Sequence, residues 1–561
     1  MAGADFVREL RAAPSAWGLA FGGLALVLSF SPSLLPRSWP LQGAAAGVTA
    51  GMVYGLAVLV AWGVRHTARM VNVRVEVTSD PDRWVRYVGL AVLILVPLWY
   101  WVWAVRGQGR TAELVQMEAP PFWQSFLAVV LGILIAGLGV LLGRSARWLA
   151  RRLAARVPSS VPRWAAVAAS AAVVALVAVW ATNAVLVSRV ANALGERFYE
   201  VNSQTREGVV APTVPERSGG PGSLLGWDTL GQEGQVFVTG GPSATDIEQV
   251  TGAPALEPIR VYGGLGFADS FGEVADGVVA ELHRTGAFER SVLVVYNTTG
   301  TGWVNEWSAQ PVEYLTGGDS AIAAMQYSYL PSPLALIADR VRPPMAGKAF
   351  FDRIYAEWET LPEESRPRLM VAGESLGSFG GHGAFTSKED MVERVDGAVW
   401  IGTPAFTPLW RAITRDRQNG SPEVAPVVDN GQHLRFVTRP QDLVADIYGR
   451  PLGEWEEPRI AYLQHASDPI SRWDTSLIRS RPDWITERAG TDVNKDIEWY
   501  PLVTFWQVTT DQALGNATAP GHGHLYHHDL VATWAAVLGV DKVDLASVTS
   551  AVQQDRDAAT N

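Results

Sequence analysis

The sequence predicts two parts, a bundle of about five membrane-spanning α-helices and then an α/β domain whose mostly parallel sheet is covered by helices on both faces. Three observations support this division. Long apolar stretches are confined to the first 190 of the 561 residues. Beyond them, short β-rich runs alternate with helical patterns, which favours a parallel sheet between helix layers. The net charge also changes, from +10 up to Arg189 to −21 beyond it.

Five apolar stretches are long enough to cross a bilayer, because about 20 helical residues span its hydrocarbon core. The first is the least regular, since Pro32 and Pro36 interrupt it and either kink the helix or end it. Four more spans follow it, which argues against a cleaved signal peptide. The stretches are residues 17 to 35, 41 to 63, 87 to 105, 124 to 143 and 165 to 188.

The placement of arginine predicts how these spans are oriented. Arg-rich loops follow the second and fourth spans, whereas the loop from about 106 to 122 holds two arginines balanced by two glutamates. By the positive-inside rule the Arg-rich loops are cytoplasmic, and Arg8 and Arg11 place the N-terminus there too. Five spans then put the chain after residue 190 outside the plasma membrane. The loop arginines are Arg65, Arg69, Arg74, Arg83 and Arg86, then Arg144, Arg147, Arg151, Arg152, Arg156 and Arg163.

Composition predicts the domain boundaries and argues against one class of binding partner. Gly, Pro and Ser accumulate between residues 191 and 230, which predicts a linker between a transmembrane domain (1 to 190) and the α/β domain (231 to 561). Beyond Arg189 there are 49 acidic and 28 basic residues, a balance that repels phosphate and argues against a nucleic-acid partner. The chain has no Cys, which excludes disulfides, thiolate metal sites and a Cys nucleophile.

Strands and helices are predicted to alternate along the α/β domain. The predicted strands are residues 235 to 238, 259 to 262, 291 to 296, 325 to 329, 369 to 372, 398 to 401, 434 to 437 and 460 to 463. The predicted helices are residues 271 to 285, 346 to 359, 376 to 386, 404 to 415 and 527 to 538.

The strongest single motif is Gly-Glu-Ser-Leu-Gly at residues 373 to 377, directly after an apolar predicted strand. A sharp strand-to-helix turn would force Ser375 into a strained backbone conformation and expose its hydroxyl as a nucleophile. A helix beginning near Leu376 would aim its free N–H groups and positive dipole end at an oxyanion. Gly is abundant in this chain, so a plain surface turn is the alternative and the surrounding residues must decide.

An oxyanion loop and an acid are predicted from the neighbouring strands. Residues 297 to 303, which include Gly300 and Gly302, follow the strand two places before the nucleophile strand. There the N–H of Thr299 is the second candidate donor beside that of Leu376. The acid candidate is Asp468, just past the last predicted strand, where a buried carboxylate would orient an imidazole. Asp442, which follows the preceding strand, is its competitor.

The general base is predicted in a histidine cluster near the C-terminus. His524 is the first candidate and His522 the second, because they precede an amphipathic helix where such folds place their base. Closely spaced imidazoles also suit zinc, although no companion carboxylate motif accompanies them. The chain order Ser, Asp, His favours the catalytic triad over the metal site, and neither a metal nor a cofactor is predicted.

Taken together, five segments resemble the actinobacterial membrane-anchored α/β-hydrolase family, which joins a multi-span N-terminal domain to a C-terminal hydrolase domain. The resemblance covers nearly the whole chain and implies Ser375, Asp468 and His524 as the triad. It implies little about the substrate. The segments are residues 299 to 303, 326 to 332, 373 to 378, 462 to 469 and 521 to 526.

The sequence therefore predicts a serine esterase or lipase that acts through an acyl-enzyme, held in a lipid bilayer with its active site outside. Its location suggests an ester of a cell-envelope lipid as the substrate. Two alternatives remain at this point: an acyltransferase that uses the same triad, and a membrane accessory protein whose hydrolase domain is inactive.

Overall fold

A computed structural model describes residue 6 and residues 9–10, 13–71, 83–158, 160–181 and 188–560 of the chain. The structure divides into two units. The first comprises Met1–Val190, Asp474–Arg488 and Asp492–Ala517, and the second comprises Ala191–Trp473, Ala489–Thr491 and Thr518–Asn561. Part of the sequence between Asp468 and His524 thus belongs to the first unit, although it lies within the predicted α/β domain.

The helices and strands are numbered in chain order. They are α1 (Ala16–Leu28), α2 (Trp39–Met70), α3 (Arg83–Leu114), α4 (Gln124–Ala154), α5 (Arg163–Ala181), α6 (Ser188–Asn202), α7 (Gly231–Thr239), α8 (Ala244–Thr251), β1 (Ile259–Gly263), α9 (Phe271–Thr285), β2 (Val292–Asn297), α10 (Glu306–Leu315), β3 (Ser320–Met325), α11 (Ser332–Ala338), α12 (Arg342–Glu359), β4 (Arg368–Glu374), α13 (Leu376–Gly381), α14 (Lys388–Arg394), β5 (Gly397–Ile401), α15 (Pro408–Arg415), β6 (Leu434–Val437), β7 (Arg459–Leu463), α16 (Pro469–Arg472), α17 (Asp483–Glu487), α18 (Val503–Asp511), α19 (His527–Leu538) and α20 (Leu545–Thr560).

In the described part of the first unit, three helices are long and apolar enough to cross a membrane: Trp39–Met70, Tyr87–Leu114 and Gln124–Ala154. The first and fifth predicted spans correspond to shorter apolar helices, Ala16–Leu28 and Arg163–Ala178. With 13 residues, α1 is about 20 Å long, less than the roughly 30 Å of a hydrocarbon core. Arg8, Arg11, Arg74 and the end of the fifth predicted span, residues 182 to 187, lie outside the described residues.

The first predicted span ends early because the chain leaves the helix before its prolines. α1 ends at Leu28, and residues 29 to 37 form a buried irregular segment that contains Pro32 and Pro36. Side-chain amides satisfy its backbone, since Gln42 donates to the Ser29 carbonyl (2.8 Å) and Gln108 to the Phe30 carbonyl (3.4 Å). Irregular backbone at membrane depth is stable where protein groups supply its hydrogen bonds in this way.

Small residues bring α2 and α4 close together. Gly43 and Gly47 lie one turn apart on α2, and a Cβ atom at Gly47 would come within 2.6 Å of the Ile135 side chain and 2.7 Å of the Gly132 carbonyl on α4. This spacing of glycines is typical of membrane helices that pack backbone to backbone.

The described part of the second unit contains a seven-stranded sheet, in the order β1-β3-β2-β4-β5-β7-β6, in which every pair is parallel. Every residue of β1, β2, β3 and β5 is buried, as expected for a parallel sheet with helices on both faces. The predicted mostly parallel sheet is therefore confirmed.

Local signals fix several of the surrounding helices. Ser270 and Glu273 form a capping box at the start of α9, and Gly286 ends that helix in a left-handed conformation. The observed bounds of α9 and α19 coincide with the predicted helices, residues 271 to 285 and 527 to 538.

Three predicted segments differ most from the structure. Residues 235 to 238 lie in helix α7 and not in a strand, and the strand predicted at 325 to 329 runs from Ser320 to Met325. The stretch predicted as a linker, residues 191 to 230, belongs to the second unit, where Leu225 and Leu230 are fully buried in its core. Its Gly and Pro residues form turns in a packed segment, which composition alone does not distinguish from a free linker.

Candidate active site

The turn between β4 and α13 carries Ser375 in a strained conformation. Its φ of 54° and ψ of −120° lie in a region that residues with a side chain rarely occupy. The Ser375 N–H donates to the Ile401 carbonyl at the end of β5 (2.8 Å), which holds the turn against the sheet. Gly377 is required by close packing, because a Cβ there would lie 2.2 Å from the Asn297 carbonyl oxygen at the end of β2.

Asp468 and His524 form a buried pair. Asp468 follows β7 at the start of α16, and His524 lies on the loop that precedes α19. Their contact joins His524 Nδ1 to Asp468 Oδ2 at 2.8 Å, and Asp468 is fully buried. Among the residues that the structure describes, the second ring nitrogen, His524 Nε2, has no hydrogen-bond partner. That nitrogen is thus free to accept a proton, as a general base requires.

Ser375 and His524 both lie against the end of β5. Ile401 accepts the hydrogen bond from the Ser375 N–H, and the next residue, Gly402, has a φ of +54° and faces the imidazole. A Cβ at Gly402 would lie 2.3 Å from His524 Cε1. Since β4, β5 and β7 are neighbours in the sheet, their carboxyl ends bring the serine, the histidine and the aspartate to one edge.

Electrostatics favour an ionised acid and a basic imidazole. Burial opposes the charge on Asp468, yet the His524 charge and hydrogen bonds from His524, Tyr526 and the Ile470 N–H hold the pKa of Asp468 below its ordinary value. Burial likewise opposes the imidazolium, but the Asp468 carboxylate and, to a lesser extent, Glu374 raise the pKa of His524.

The predicted oxyanion donors differ in availability. Leu376 is the first residue of α13, and N–H groups in the first turn of a helix have no partner within the helix. The N–H of Thr299 donates to the Trp303 carbonyl (3.1 Å) and is therefore occupied in this structure.

The two alternative site residues have other surroundings. Asp442 closes the turn after β6, where its carboxylate accepts hydrogen bonds from the Thr438 N–H (3.0 Å), the Thr438 hydroxyl and Arg439 Nε (3.3 Å). The carbonyl of His522 accepts the Thr518 hydroxyl at 2.7 Å. The contact with Asp468 is made by His524.

The sequence analysis missed several polar groups around the pair. Tyr526 and Ser471 both donate to Asp468 Oδ2, at 2.6 and 2.9 Å. Glu374, directly before Ser375, is buried and accepts a hydrogen bond from Asn305 Nδ2 at 2.6 Å, and burial raises its pKa. For these hydrogen bonds the sequence offered one signal, namely that Tyr526 lies two residues after the candidate base His524.

Among the described residues, no group of three or more His, Asp or Glu side chains is arranged to hold a metal ion. Two of the four histidines near the C-terminus make other contacts. His524 pairs with Asp468, and the ring of His527 stacks on Trp307 with centroids 5.1 Å apart.

Two family models match the chain. A model described as "Alpha/beta-hydrolase family" matches residues 259–550, just over half of the chain. A second, described as the N-terminus of that family, matches residues 30–242. Neither the curated proteins nor the solved structures contain a match to this chain.

Proposed function

Because the chain belongs to this α/β-hydrolase family, we propose that it is a membrane-anchored serine hydrolase of the esterase or lipase type, with Ser375, His524 and Asp468 as its triad. The observation that supports this proposal best is the buried His524–Asp468 pair. Its imidazole packs against Gly402, directly after Ile401, whose carbonyl accepts the N–H of the strained Ser375. An actinobacterial origin remains a prediction from the sequence motifs.

In the proposed reaction, Ser375 Oγ attacks the carbonyl carbon of an ester while His524 Nε2 takes the hydroxyl proton. The imidazolium then gives this proton to the leaving alcohol, and the acyl group stays on Ser375 as an ester. Water attacks that ester, His524 takes a proton from the water, and Ser375 recovers its proton as the carboxylic acid leaves. Asp468 keeps Nδ1 protonated, so that Nε2 is always the nitrogen that exchanges protons.

The carbonyl oxygen becomes negatively charged in the transition state, and we propose the Leu376 N–H as one of its donors. Removing a single such donor typically costs about 3 to 4 kcal/mol of transition-state stabilisation. Thr299 can serve as the second donor only if the substrate oxygen displaces the Trp303 carbonyl that its N–H now contacts.

Contacts within the first unit support a membrane orientation. Glu9 pairs with Arg151 near the Arg-rich end of α4 (3.1 Å), and the Leu10 carbonyl accepts a hydrogen bond from Arg144 (2.6 Å). Glu9 and Leu10 therefore lie at the Arg-rich end of α4, which the positive-inside rule assigns to the cytoplasm.

Residues 492 to 517, which belong to the first unit, contact the opposite end of the bundle. Asn494 donates to the Gly107 carbonyl and to the Thr111 hydroxyl near the end of α3, each at 3.0 Å. Asp511 pairs with Arg37, just before α2 begins (3.1 Å). Since Asp468 and His524 flank these residues in the chain, we propose that the hydrolase domain is extracytoplasmic.

This orientation requires α1 and α5 to complete crossings of the plasma membrane, in addition to the three long helices. α4 ends at the Arg-rich face, so the chain must cross once more before it enters the second unit. The five-span topology consequently remains our proposal, with the active site at the outer surface of the bilayer. That position favours an ester of an envelope lipid as the substrate.

Hydrolysis assays of the purified protein, with lipid esters and with or without an acceptor alcohol, test the reaction. We expect free acid as the product and a loss of about 10⁴-fold or more in Ser375→Ala. Ser378→Ala is the matched control, because Ser378 is buried on the same helix and its hydroxyl is hydrogen-bonded to Thr403. Acyl transfer to the alcohol without free acid would favour a transferase, and no turnover would favour an inactive accessory protein.

Reporter fusions after residue 561 test the orientation. An enzyme reporter that works only outside the cytoplasm should be active, and a reporter that works only inside should be silent. The reverse pattern would mean that α5 does not cross the membrane and that only an even number of spans separates the N-terminus from the hydrolase domain.

A further inference from the structure

The carboxylate of Asp468 accepts four hydrogen bonds. Its Oδ1 receives the Ile470 N–H at 2.8 Å. Its Oδ2 is shared by His524 Nδ1 (2.8 Å), the Tyr526 hydroxyl (2.6 Å) and the Ser471 hydroxyl (2.9 Å). The Tyr526 bond is the shortest of the four, and it competes with His524 for the same oxygen.

Tyr526 itself is rigidly held. Its ring stacks on His465 with centroids 4.2 Å apart, and it meets the His524 ring edge to face at 5.6 Å. His465 is fixed in turn, since its Nε2 lies 3.0 Å from Asp529 Oδ2 and its Nδ1 lies 2.9 Å from the Gly523 carbonyl. The hydroxyl of Tyr526 also accepts the His465 backbone N–H (3.3 Å).

We propose that Tyr526 is a positioning residue of the triad, whose hydroxyl fixes the Asp468 carboxylate and limits how strongly that carboxylate holds the imidazolium of His524. This inference rests on the proposed function, because it assigns Tyr526 a part in the same proton transfer. The Tyr526 hydroxyl bonds to Asp468, so its effect on the proton transfer passes through the acid.

The direction of the effect follows from charge. A donor on Oδ2 spreads the negative charge of Asp468 and weakens its attraction for the imidazolium. Without that donor, His524 should keep its proton to a higher pH. The other ionisable groups that face the pair are Glu374, at the end of β4, and His465, which stacks on Tyr526. The contacts of Glu374 with Asn305, and of the His465 ring with Asp529 and Gly523, do not involve the tyrosine hydroxyl. The His465 backbone N–H does lose its acceptor when that hydroxyl is removed.

The pH dependence of kcat/KM for ester hydrolysis tests the proposal with Tyr526→Phe, which keeps the ring and removes the hydroxyl. Tyr262→Phe is the matched control, because Tyr262 is equally buried and its hydroxyl donates to the Gly302 carbonyl at 2.7 Å. We expect the acid limb to move to higher pH in Tyr526→Phe only. At a fixed pH below the wild-type midpoint, its kcat/KM should fall about three- to tenfold more than that of the control.

A second variant covers the case in which Tyr526→Phe does not fold. Ser471→Ala removes another donor from the same oxygen and should move the acid limb in the same direction. NMR titration of the His524 ring, assigned with His524→Gln, reports its protonation without any turnover. It therefore tests Tyr526 even if wild type hydrolyses no ester, an outcome that would count against the proposed function alone. The role of Tyr526 would be overturned if the variants had the same acid limb of kcat/KM and the same His524 titration as wild type.

Discussion

The buried ion pair between Arg37 and Asp511 gives the sharpest prediction about the first unit. Both side chains are fully buried, with Arg37 Nη1 3.1 Å from Asp511 Oδ1. Asp511 also accepts hydrogen bonds from the Ser33 hydroxyl and the Leu35 N–H, within the irregular segment of residues 29 to 37. The pair consequently links α18, which comes from the far end of the sequence, to the start of the bundle.

Asp511→Asn removes the negative charge and leaves the Arg37 guanidinium buried without a counter-charge. Breaking a buried pair in this way typically costs about 3 to 5 kcal/mol. If α18 opens locally, its amide hydrogens should exchange roughly 100- to 4,000-fold faster, since each 1.4 kcal/mol is a factor of ten. Hydrogen exchange read by mass spectrometry on peptides that cover Val503–Asp511 measures this change.

Glu498→Gln provides the control within the same unit. Glu498 pairs with Arg488 at 2.6 Å, but the two side chains are 39% and 47% exposed, so the loss should be about 0 to 1 kcal/mol. Replacing both buried partners, Arg37→Met with Asp511→Leu, should restore part of the protection, because no charge is left unpaired although the Ser33 hydroxyl and the Leu35 N–H lose their acceptor. Exchange in Asp511→Asn that is no faster than in Glu498→Gln would refute the reasoning.

Three further predictions concern the active site. Asp468→Asn should lower kcat by about 10⁴-fold, because the amide cannot hold the correct tautomer of His524. Steady-state kinetics measure this loss, and an unchanged circular dichroism spectrum shows that the variant is folded. Activity within tenfold of wild type would remove Asp468 from the proposed triad. Gly402→Ala should lower kcat/KM by about 100-fold or more, because the new Cβ would lie 2.3 Å from His524 Cε1 and residue 402 has a positive φ. A fully active variant would contradict the position of His524 beside Gly402. The pKa of His524 is raised, and only the neutral ring accepts a proton. We therefore expect kcat/KM to rise with pH through a midpoint above about 6.5, the pKa of a free imidazole. A midpoint below that value would show that another group controls the reaction.

The sequence carried the triad candidates because each follows a local rule. Ser375 lies in a short glycine-rich turn after an apolar strand, and Asp468 follows the end of another strand. Parallel strands bring their carboxyl ends to one edge, so chain order and strand positions sufficed to bring these residues together. That His524 is the one that contacts Asp468 could not be derived from the sequence, because both His524 and His522 precede the same helix.

Other features depend on contacts that no local pattern encodes. Nothing in the sequence around Asp511 indicates that it pairs with Arg37, 474 residues earlier. Hydropathy alone also extended the first span to residue 35, because Phe30, Leu34 and Leu35 follow the end of α1; the prolines left open whether the helix is kinked or ends. The carbonyls of residues 29 to 37 are instead satisfied by side chains from other helices, including Gln507, which donates to the Ser31 carbonyl at 3.0 Å.

The stretch from 191 to 230 illustrates the limit of composition. Its glycines and prolines are typical of a linker, yet Arg217 is buried and donates to the Gly240 carbonyl at 2.5 Å, and its backbone bridges to Arg260 on β1. Turn-forming residues report local backbone preference. Whether the turns are packed or free is decided by the core around them.

Labelling with a fluorophosphonate probe tests the central claim, that Ser375 is an activated nucleophile, most directly. The probe forms a covalent bond only with a serine whose hydroxyl is deprotonated on attack. Wild type and Ser378→Ala should be labelled, with the adduct mapped to Ser375 by peptide mass spectrometry, and Ser375→Ala should not. An unlabelled wild type, or labelling that persists in Ser375→Ala, would contradict the account.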